Sequence, residues 1–392
     1  MAKLKVGEAC ETKPLYEGLP AKFTQPRFVR TALHNPMNVL GVNDDIEAVG
    51  MWLRECGRNS PNTLQTYKRE AEKLLVWAST VKGKGLGELT REDHLDFQEF
   101  LAAVPQDWIM ARRFKRSNSG WRPFLSQPSA SSIAHSVTIL YGMMEYLTSS
   151  GWFLANPMPK PKSTIRKAWR PTRKALSRDL VQIMLDSTSE PQEGESPKDA
   201  LTRMRDRWIV YFMVHMAPRV SETRSVGGSI RSEIVEGKTM WIWSLVGKGG
   251  REEELPVPAH VMSEFESFRL ALGLPSLPGP NEEIPIFPSF KRMSKDGAYT
   301  DLSEQLTRNS IYKRITEHIA PRAKRLAEQR GVDASRLELV SPHWLRHTAL
   351  TEILRRSGDL QVAKKLGRHR DINTTAGYTQ TDLITLSNAM EE

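Results

Sequence analysis

Ser341-Pro342-His343-Trp344-Leu345-Arg346-His347-Thr348 opens a stretch that runs on through Leu366-Gly367-Arg368-His369-Arg370-Asp371 to Thr374-Thr375-Ala376-Gly377-Tyr378. Serine followed by proline reads as a helix start, because the serine oxygen can cap free amides and proline fits the first helical position. On that helix His343, Arg346 and His347 are three and four residues apart and share one face, while Leu345, Ala349, Leu350, Ile353 and Leu354 line another. The polar face lies in the first turn. Unpaired amides and the positive end of the helix dipole favour an anion there, and an arginine fork adds bidentate recognition, so the pattern suits a phosphate. Ser357-Gly358-Asp359 ends this helix and caps a second, Leu360 to Leu366, which stops at Gly367. Asp371 or Asn373 can cap a third short helix carrying Tyr378, the only tyrosine after the His/Arg cluster and a candidate nucleophile.

Taken singly, each of these residues has a bland reading: a histidine in a satisfied structural site, a tyrosine half-buried in packing. The ordered set is more specific. His-x-x-Arg-His, then Leu-Gly-(x)-His, then Thr-Thr-x-x-Tyr resembles the C-terminal signature of the tyrosine recombinases, the phage integrase family. That resemblance asks for an early arginine in an Arg-x-Ser-Glu setting after an apolar helix, and Trp208 to Met216 is followed by Arg219-Val220-Ser221-Glu222. It also asks for a lysine on a hairpin turn, and Trp241 to Pro256 reads as strand, glycine turn, strand, with Lys248 at the turn. The family pattern usually has histidine directly after Leu-Gly, whereas here Arg368 intervenes. Either His369 fills the fifth catalytic position after a one-residue insertion, or Arg368 partly replaces it.

The chemistry that the resemblance implies fits these residue types. Phosphodiester exchange that conserves bond energy needs a nucleophile able to hold the phosphate covalently and leave again, and Tyr378 takes that part. Arg219 and Arg346, with His369, would stabilise charge on the non-bridging oxygens, Lys248 would protonate the departing 5′ oxygen, and His343 would help manage the tyrosine proton. Glu222 is expected to orient the cluster and His347 to support it. No metal site and no cofactor is expected, and no nucleotide-binding glycine loop is evident.

A chain of 392 residues is long enough for two domains, each burying its own core. Its two cysteines, Cys10 and Cys56, cannot form a disulfide framework, which points to a reducing compartment. No apolar run approaches the roughly 18 residues of a membrane span, and the N-terminus lacks a signal-peptide core, so the expected location is cytoplasmic, with the nucleoid. A net charge of +10 suits a polyanionic partner without proving one.

The expected layout is an N-terminal arm over residues 1–41, a helical domain over 42–157, a proline-stiffened basic linker over 158–176, and a domain of helices with a small hairpin over 177–392. In the first domain, helices are expected at Ile46 to Cys56, Thr63 to Thr80, Thr90 to Leu101 and Ser129 to Ser149, with their apolar stripes as core. This matches the core-binding bundle of the resembled family, giving a mainly α fold with a small β-sheet. Between the third and fourth helices, Arg112, Arg113, Lys115, Arg116 and Arg122 interleave with aromatics and are candidate DNA contacts, as are Arg166 and Lys167 in the linker. The stretches Thr188 to Lys198 and Leu274 to Gly297 read as surface loops. The tail from Thr381 is too apolar for a solvated end and too short to fold alone, so it is expected to dock on a neighbouring subunit or on its own domain.

The resemblance implies a site-specific recombinase that acts on double-stranded DNA through a 3′-phosphotyrosine intermediate and a Holliday junction. The implied assembly is a homo-tetramer on paired sites, with a second recombinase or a DNA-bending accessory protein as further candidate partners. Two alternatives remain: a relaxing enzyme of the type IB topoisomerase kind, and a non-cleaving DNA-binding accessory protein on the same fold.

Overall fold

The computed structural model describes residues 15, 37–58, 60–161, 175–191, 193–247, 250–291 and 301–368. The chain divides into two compact units, residues 1–169 and 170–392.

Among its described residues the first unit is a bundle of four helices, α1 (Asp45–Gly57), α2 (Pro61–Trp77), α3 (Arg91–Ala102) and α4 (Ala130–Ser149). Each start is written in the sequence. Asp44 caps the amides of Ile46 and Glu47, Ser60 caps Thr63 ahead of Pro61, Thr90 and Asp93 form a reciprocal capping box, and Ser129 caps Ser132. Helix α2 continues as a π-turn over Ala78–Lys82 and stops where Gly83 adopts φ 64. The expected stripes face the core: Leu64, Ala71, Leu74, Leu75 and Ala78 of one helix and Val137, Leu140, Met144 and Leu147 of another are buried. An aromatic group closes the bundle, with Trp77 against Phe97 at 5.1 Å and Phe100 edge-on to Trp108 at 5.0 Å.

One buried acid ties the ends of this unit together. Asp45 accepts from the Trp152 indole at 2.9 Å and from the Gly87 amide at 3.1 Å. Burial pushes its carboxyl above the usual range, against the pull of those donors. Next to Trp152, Gly151 sits at φ +74, and an added Cβ would lie 2.4 Å from the Met37 carbonyl oxygen. Gly151→Ala combines left-handed backbone with a main-chain clash and is expected to destabilise this unit by about 1–3 kcal/mol. Chemical denaturation with a tryptophan fluorescence readout checks this, and an unchanged midpoint would refute it.

The second unit joins α5 (Arg178–Ser189), α6 (Pro197–Met216), a three-stranded sheet, α7 (Ala259–Ala271), α8 (Arg308–Lys313), a π-turn over Arg314–Ile319, α9 (Ala320–Gln329), α10 (Pro342–Ser357) and α11 (Leu360–Gly367). The sheet is antiparallel in the order β1 (Ile230–Val235), β2 (Lys238–Val246), β3 (Glu252–Val257). The β2–β3 hairpin answers the expected strand, turn, strand; β1 is an addition. It is joined to β2 by Glu236-Gly237, both left-handed at φ 52 and φ 74, the geometry of a two-residue hairpin turn. Trp243, Leu245, Leu255 and Val257 alternate inward onto a core that includes Trp208, Phe212, Phe265 and Phe287. The expected loop Thr188 to Lys198 is shorter than read: α5 runs to Ser189, and α6 begins at Pro197 under a Ser196 cap. Among the described residues the chain is mainly helical with a small sheet, as expected from the sequence. Among the described residues, no helix is long and apolar enough to cross a membrane.

Candidate active site

Three chain segments of the second unit converge on one carboxylate. Helix α6 ends at Met216, and Ala217 then adopts left-handed backbone, φ 49 and ψ 42, immediately before Pro218. Such a conformation costs an alanine about 1–2 kcal/mol. It reverses the chain into the Arg219–Glu222 turn, closed by the Glu222 amide on the Arg219 carbonyl at 2.8 Å. It also leaves the Ala217 carbonyl as an acceptor for two incoming arginines.

The first comes from α10. That helix begins at Pro342 as expected, although the Ser341 side chain makes no cap hydrogen bond. Arg346 is buried, 4% exposed, and donates to the carbonyls of Ala217 and Gly367. The second comes from the end of α11. Asp359 caps this helix through the Gln361 amide, as expected. The helix does not stop before its glycine, however: Gly367 is its last residue, and Arg368 takes the left-handed closing position at φ 52 and ψ 45. Glycine is the usual occupant of that position. Arginine holds it here because its side chain is anchored to Glu222 and to the Ala217 carbonyl, at 2.5 and 3.1 Å.

Glu222 is the hub. Its Oε1 accepts from Arg219 Nη1 at 2.6 Å, and its Oε2 accepts from the Arg219 amide at 2.6 Å and from Arg368 Nη2 at 2.5 Å. Arg346 Nη1 stands 3.8 Å from Oε2. Arg219 also donates through Nη2 to the Arg368 carbonyl at 2.6 Å. Burial alone pushes the Glu222 carboxyl up, but the charge and hydrogen bond of Arg368, followed by the bonds from Arg219, outweigh it and hold the carboxyl below its usual value. Three guanidiniums around one carboxylate leave a surplus of positive charge. Of the three, Arg219 is the most open, with its side chain 29% exposed against 4% for Arg346 and 2% for Arg368.

On the same helix as Arg346, His343 and His347 hydrogen-bond to each other, Nε2 to Nε2 at 2.8 Å, with rings perpendicular at 88°. One nitrogen donates, so the other ring must present a bare Nε2 and be neutral. Four expected site residues, Arg219, Glu222, Arg346 and the alternative candidate Arg368, are therefore brought together, and His343 meets His347. Lys248, His369 and Tyr378 lie outside the described residues. The flanks of Lys248 are described: Gly247 donates to the Arg251 carbonyl at 2.7 Å, and Gly250 adopts φ +76. What sequence reading did not anticipate is the part played by the Ala217 carbonyl, which no side-chain motif announces.

The basic loop of the first unit divides into two kinds of residue. Arg116 forks onto Glu72 at 2.9 and 2.5 Å and lies over Trp121 at 5.6 Å. Arg122 donates to the carbonyls of Asp107, Ser119 and Trp121 at 2.7, 2.8 and 2.8 Å. These two arginines hold the loop in shape, whereas Arg112, Arg113 and Lys115 are exposed. Arg113 lines a hollow of about 490 Å³ together with Lys68, Arg69 and Lys73 of α2. Those three residues were not among the sequence candidates; the signal was their place on the polar side of α2, beside the apolar stripe. Arg166 and Lys167 lie outside the described residues.

Comparison with known proteins agrees with this picture. The family model described as the phage integrase family matches residues 174–383. The tyrosine recombinase XerC of Xylella fastidiosa (strain 9a5c) is 25% identical over 331 residues, covering 84% of this chain and 89% of that protein. The tyrosine recombinase XerD of Vibrio cholerae serotype O1 is 24% identical over 322 residues, covering 81% of this chain and 85% of that protein. Among solved structures, the XerH site-specific recombinase bound to difH substrate superposes with a TM-score of 0.53 at 15% identity, covering 87% of this chain and 83% of that one. The Tn1549 transposon integrase in complex with a circular intermediate DNA gives 0.53 at 12% identity, over 88% and 98% of the two chains. The protein is by class an enzyme that breaks and rejoins DNA strands, and it belongs to the phage integrase family.

Proposed function

We propose that this chain is a site-specific recombinase that cleaves and rejoins two DNA duplexes through a 3′-phosphotyrosine intermediate on Tyr378 and a Holliday junction. The observation that carries this reading is the buried Glu222 carboxylate with Arg219 bonded to it and Arg346 beside it, held by the Ala217 and Gly367 carbonyls. Both guanidiniums are always charged and their planes are locked by carboxylate and carbonyl partners, so they are organised before a phosphate arrives. Charge growing on the non-bridging oxygens would meet donors that need no rearrangement. His343, hydrogen-bonded to His347, is suited to take or return the tyrosine proton, and Lys248 to protonate the leaving 5′ oxygen.

In the same reading, the first unit is the core-binding domain, with Arg112, Arg113 and Lys115 on DNA phosphates, and the basic stretch over 158–176 links it to the catalytic unit. The working assembly is a homo-tetramer on paired sites in the cytoplasm; the tail from Thr381 lies outside the described residues. Integration or excision of a mobile element and resolution of replicons are both compatible with this chemistry. The relatives bear on both sides, since a transposon integrase and Xer recombinases share the fold.

The test uses a duplex that this chain selects from a random-sequence pool. Two copies on one plasmid should be deleted or inverted by the intact protein, and Tyr378→Phe should abolish exchange while keeping sequence-specific binding. Relaxation without exchange would favour the topoisomerase reading; binding without any strand breakage would favour the accessory one.

A further inference from the structure

This chain reads Leu366-Gly367-Arg368-His369, so an arginine stands between the glycine that ends α11 and the histidine. We propose that Arg368 is a positioning residue. It clamps the buried Glu222 carboxylate from the α11 side, fixes the Arg219 guanidinium against it, and is not a phosphate ligand. The inference rests on the recombinase reading above for its catalytic consequence.

Three observations carry it. First, the Arg368 side chain is 2% exposed, and both terminal nitrogens are engaged inward. Nη1 donates to the Leu366 carbonyl at 2.8 Å, and Nη2 to the Ala217 carbonyl at 3.1 Å and to Glu222 at 2.5 Å. Unlike Arg346, whose Nη1 stands 3.8 Å from Glu222, Arg368 touches the carboxylate directly, so a phosphate could recruit its guanidinium only by breaking that ion pair and leaving Glu222 buried with fewer cations, which is unfavourable. Second, the same residue also acts through its main chain. In left-handed backbone at φ 52, it presents its own carbonyl to Arg219 Nη2 at 2.6 Å, so side chain and carbonyl grip the two ends of the Arg219–Glu222 pair. Third, Arg368 Nε is buried without a hydrogen-bond partner and stands 3.8 Å from Glu253 Oε2 on β3. Arg368 thus lies between the carboxylate hub and the strand that follows the hairpin turn.

Glu222 is faced by Arg219 on its own turn, Arg346 on α10 and Arg368 at the end of α11. Replacing Arg368 by glutamine removes one of these cations, which should let Glu222 take a proton at a higher pH. Arg219 would then lose its ionised partner as the medium is acidified. The expected kinetic signature is a lower maximal rate together with an acid limb displaced upward, at unaltered DNA affinity.

The experiment measures covalent adduct formation against pH on a nicked duplex selected by the full-length protein. It compares the intact chain, Arg368→Gln, Arg368→Lys and Tyr378→Phe, with noncovalent binding measured alongside. The expected result for Arg368→Gln is a roughly tenfold to hundredfold slower cleavage, the size of effect that misplacing a catalytic group produces. Its acid limb should move up, its binding should be unchanged, and Arg368→Lys should recover part of the rate. A wild-type rate and pH profile per folded molecule would overturn the proposal, and so would a loss confined to DNA affinity, which is what a direct phosphate ligand gives. If the intact protein forms no adduct, the recombinase reading fails separately. The clamp is then read by carbon NMR of the Glu222 carboxyl, whose titration should shift upward in Arg368→Gln; an unshifted titration would overturn it.

Discussion

Glu222→Ala is expected to destabilise the C-terminal unit by roughly 3–5 kcal/mol, because it strands two buried guanidiniums. Arg346 and Arg368 are 4% and 2% exposed at their side chains, so solvent is poorly placed to take over from the lost carboxylate. Arg219 would also lose the bonds to its amide and its Nη1. The hub has a pH signature with a definite sign. The folded-state carboxyl is held below its ordinary value of 4.5, so its contribution is fully present above that value and is lost as the pH falls through the depressed one. In Glu222→Gln this acid-side dependence should disappear while the shape of the residue is kept. Chemical denaturation across a pH series on both variants checks the two statements together. A Glu222→Ala protein as stable as the parent would mean that the cluster is not the hub of this unit.

Arg346→Ala is expected to lower the rate of adduct formation by about a hundredfold to a thousandfold, the usual consequence of deleting one donor that stabilises transition-state charge. It also leaves the Ala217 and Gly367 carbonyls without their donor. Lysine should not rescue it. A single ammonium cannot bridge two carbonyls on different segments and keep a flat face toward a phosphate, which is what the planar fork does. Single-turnover cleavage of a nicked duplex, normalised to folded protein, gives the number. A rate within a few-fold of the parent would remove Arg346 from the transition state.

Much of this was legible in the sequence because its signals are local. The caps at Asp44, Ser60, Thr90 and Ser129 and the stripes of Leu64 to Ala78 and Val137 to Leu147 locate the bundle with little help from tertiary structure. Arg219, Glu222 and Arg346 could be named in advance from their order and spacing. The hairpin was visible, but β1 was not: Ile230 to Val235 alternates weakly and becomes a strand through its pairing with β2. The role of Arg368 was also out of reach. The sequence offered it only as a partial replacement for His369 at the fifth catalytic position, and only the folded chain shows it turned back onto a carboxylate 146 positions upstream in sequence. The same holds for Arg116 and Arg122, read as DNA contacts and found bracing their own loop. Side-chain type advertises what a residue can bind; which partner it meets first is decided by packing.

Tyr378 is expected to hold the DNA during exchange, served by the arginines around Glu222. The most direct measurement is to trap the protein on a nicked duplex of its own selection, digest the covalent complex, and identify the nucleotide-bearing peptide by mass spectrometry. The expected result is a single adducted peptide containing Tyr378, joined to a 3′ phosphate and absent from Tyr378→Phe. An adduct on another residue, a 5′ linkage, or strand breakage with no protein attached would contradict it.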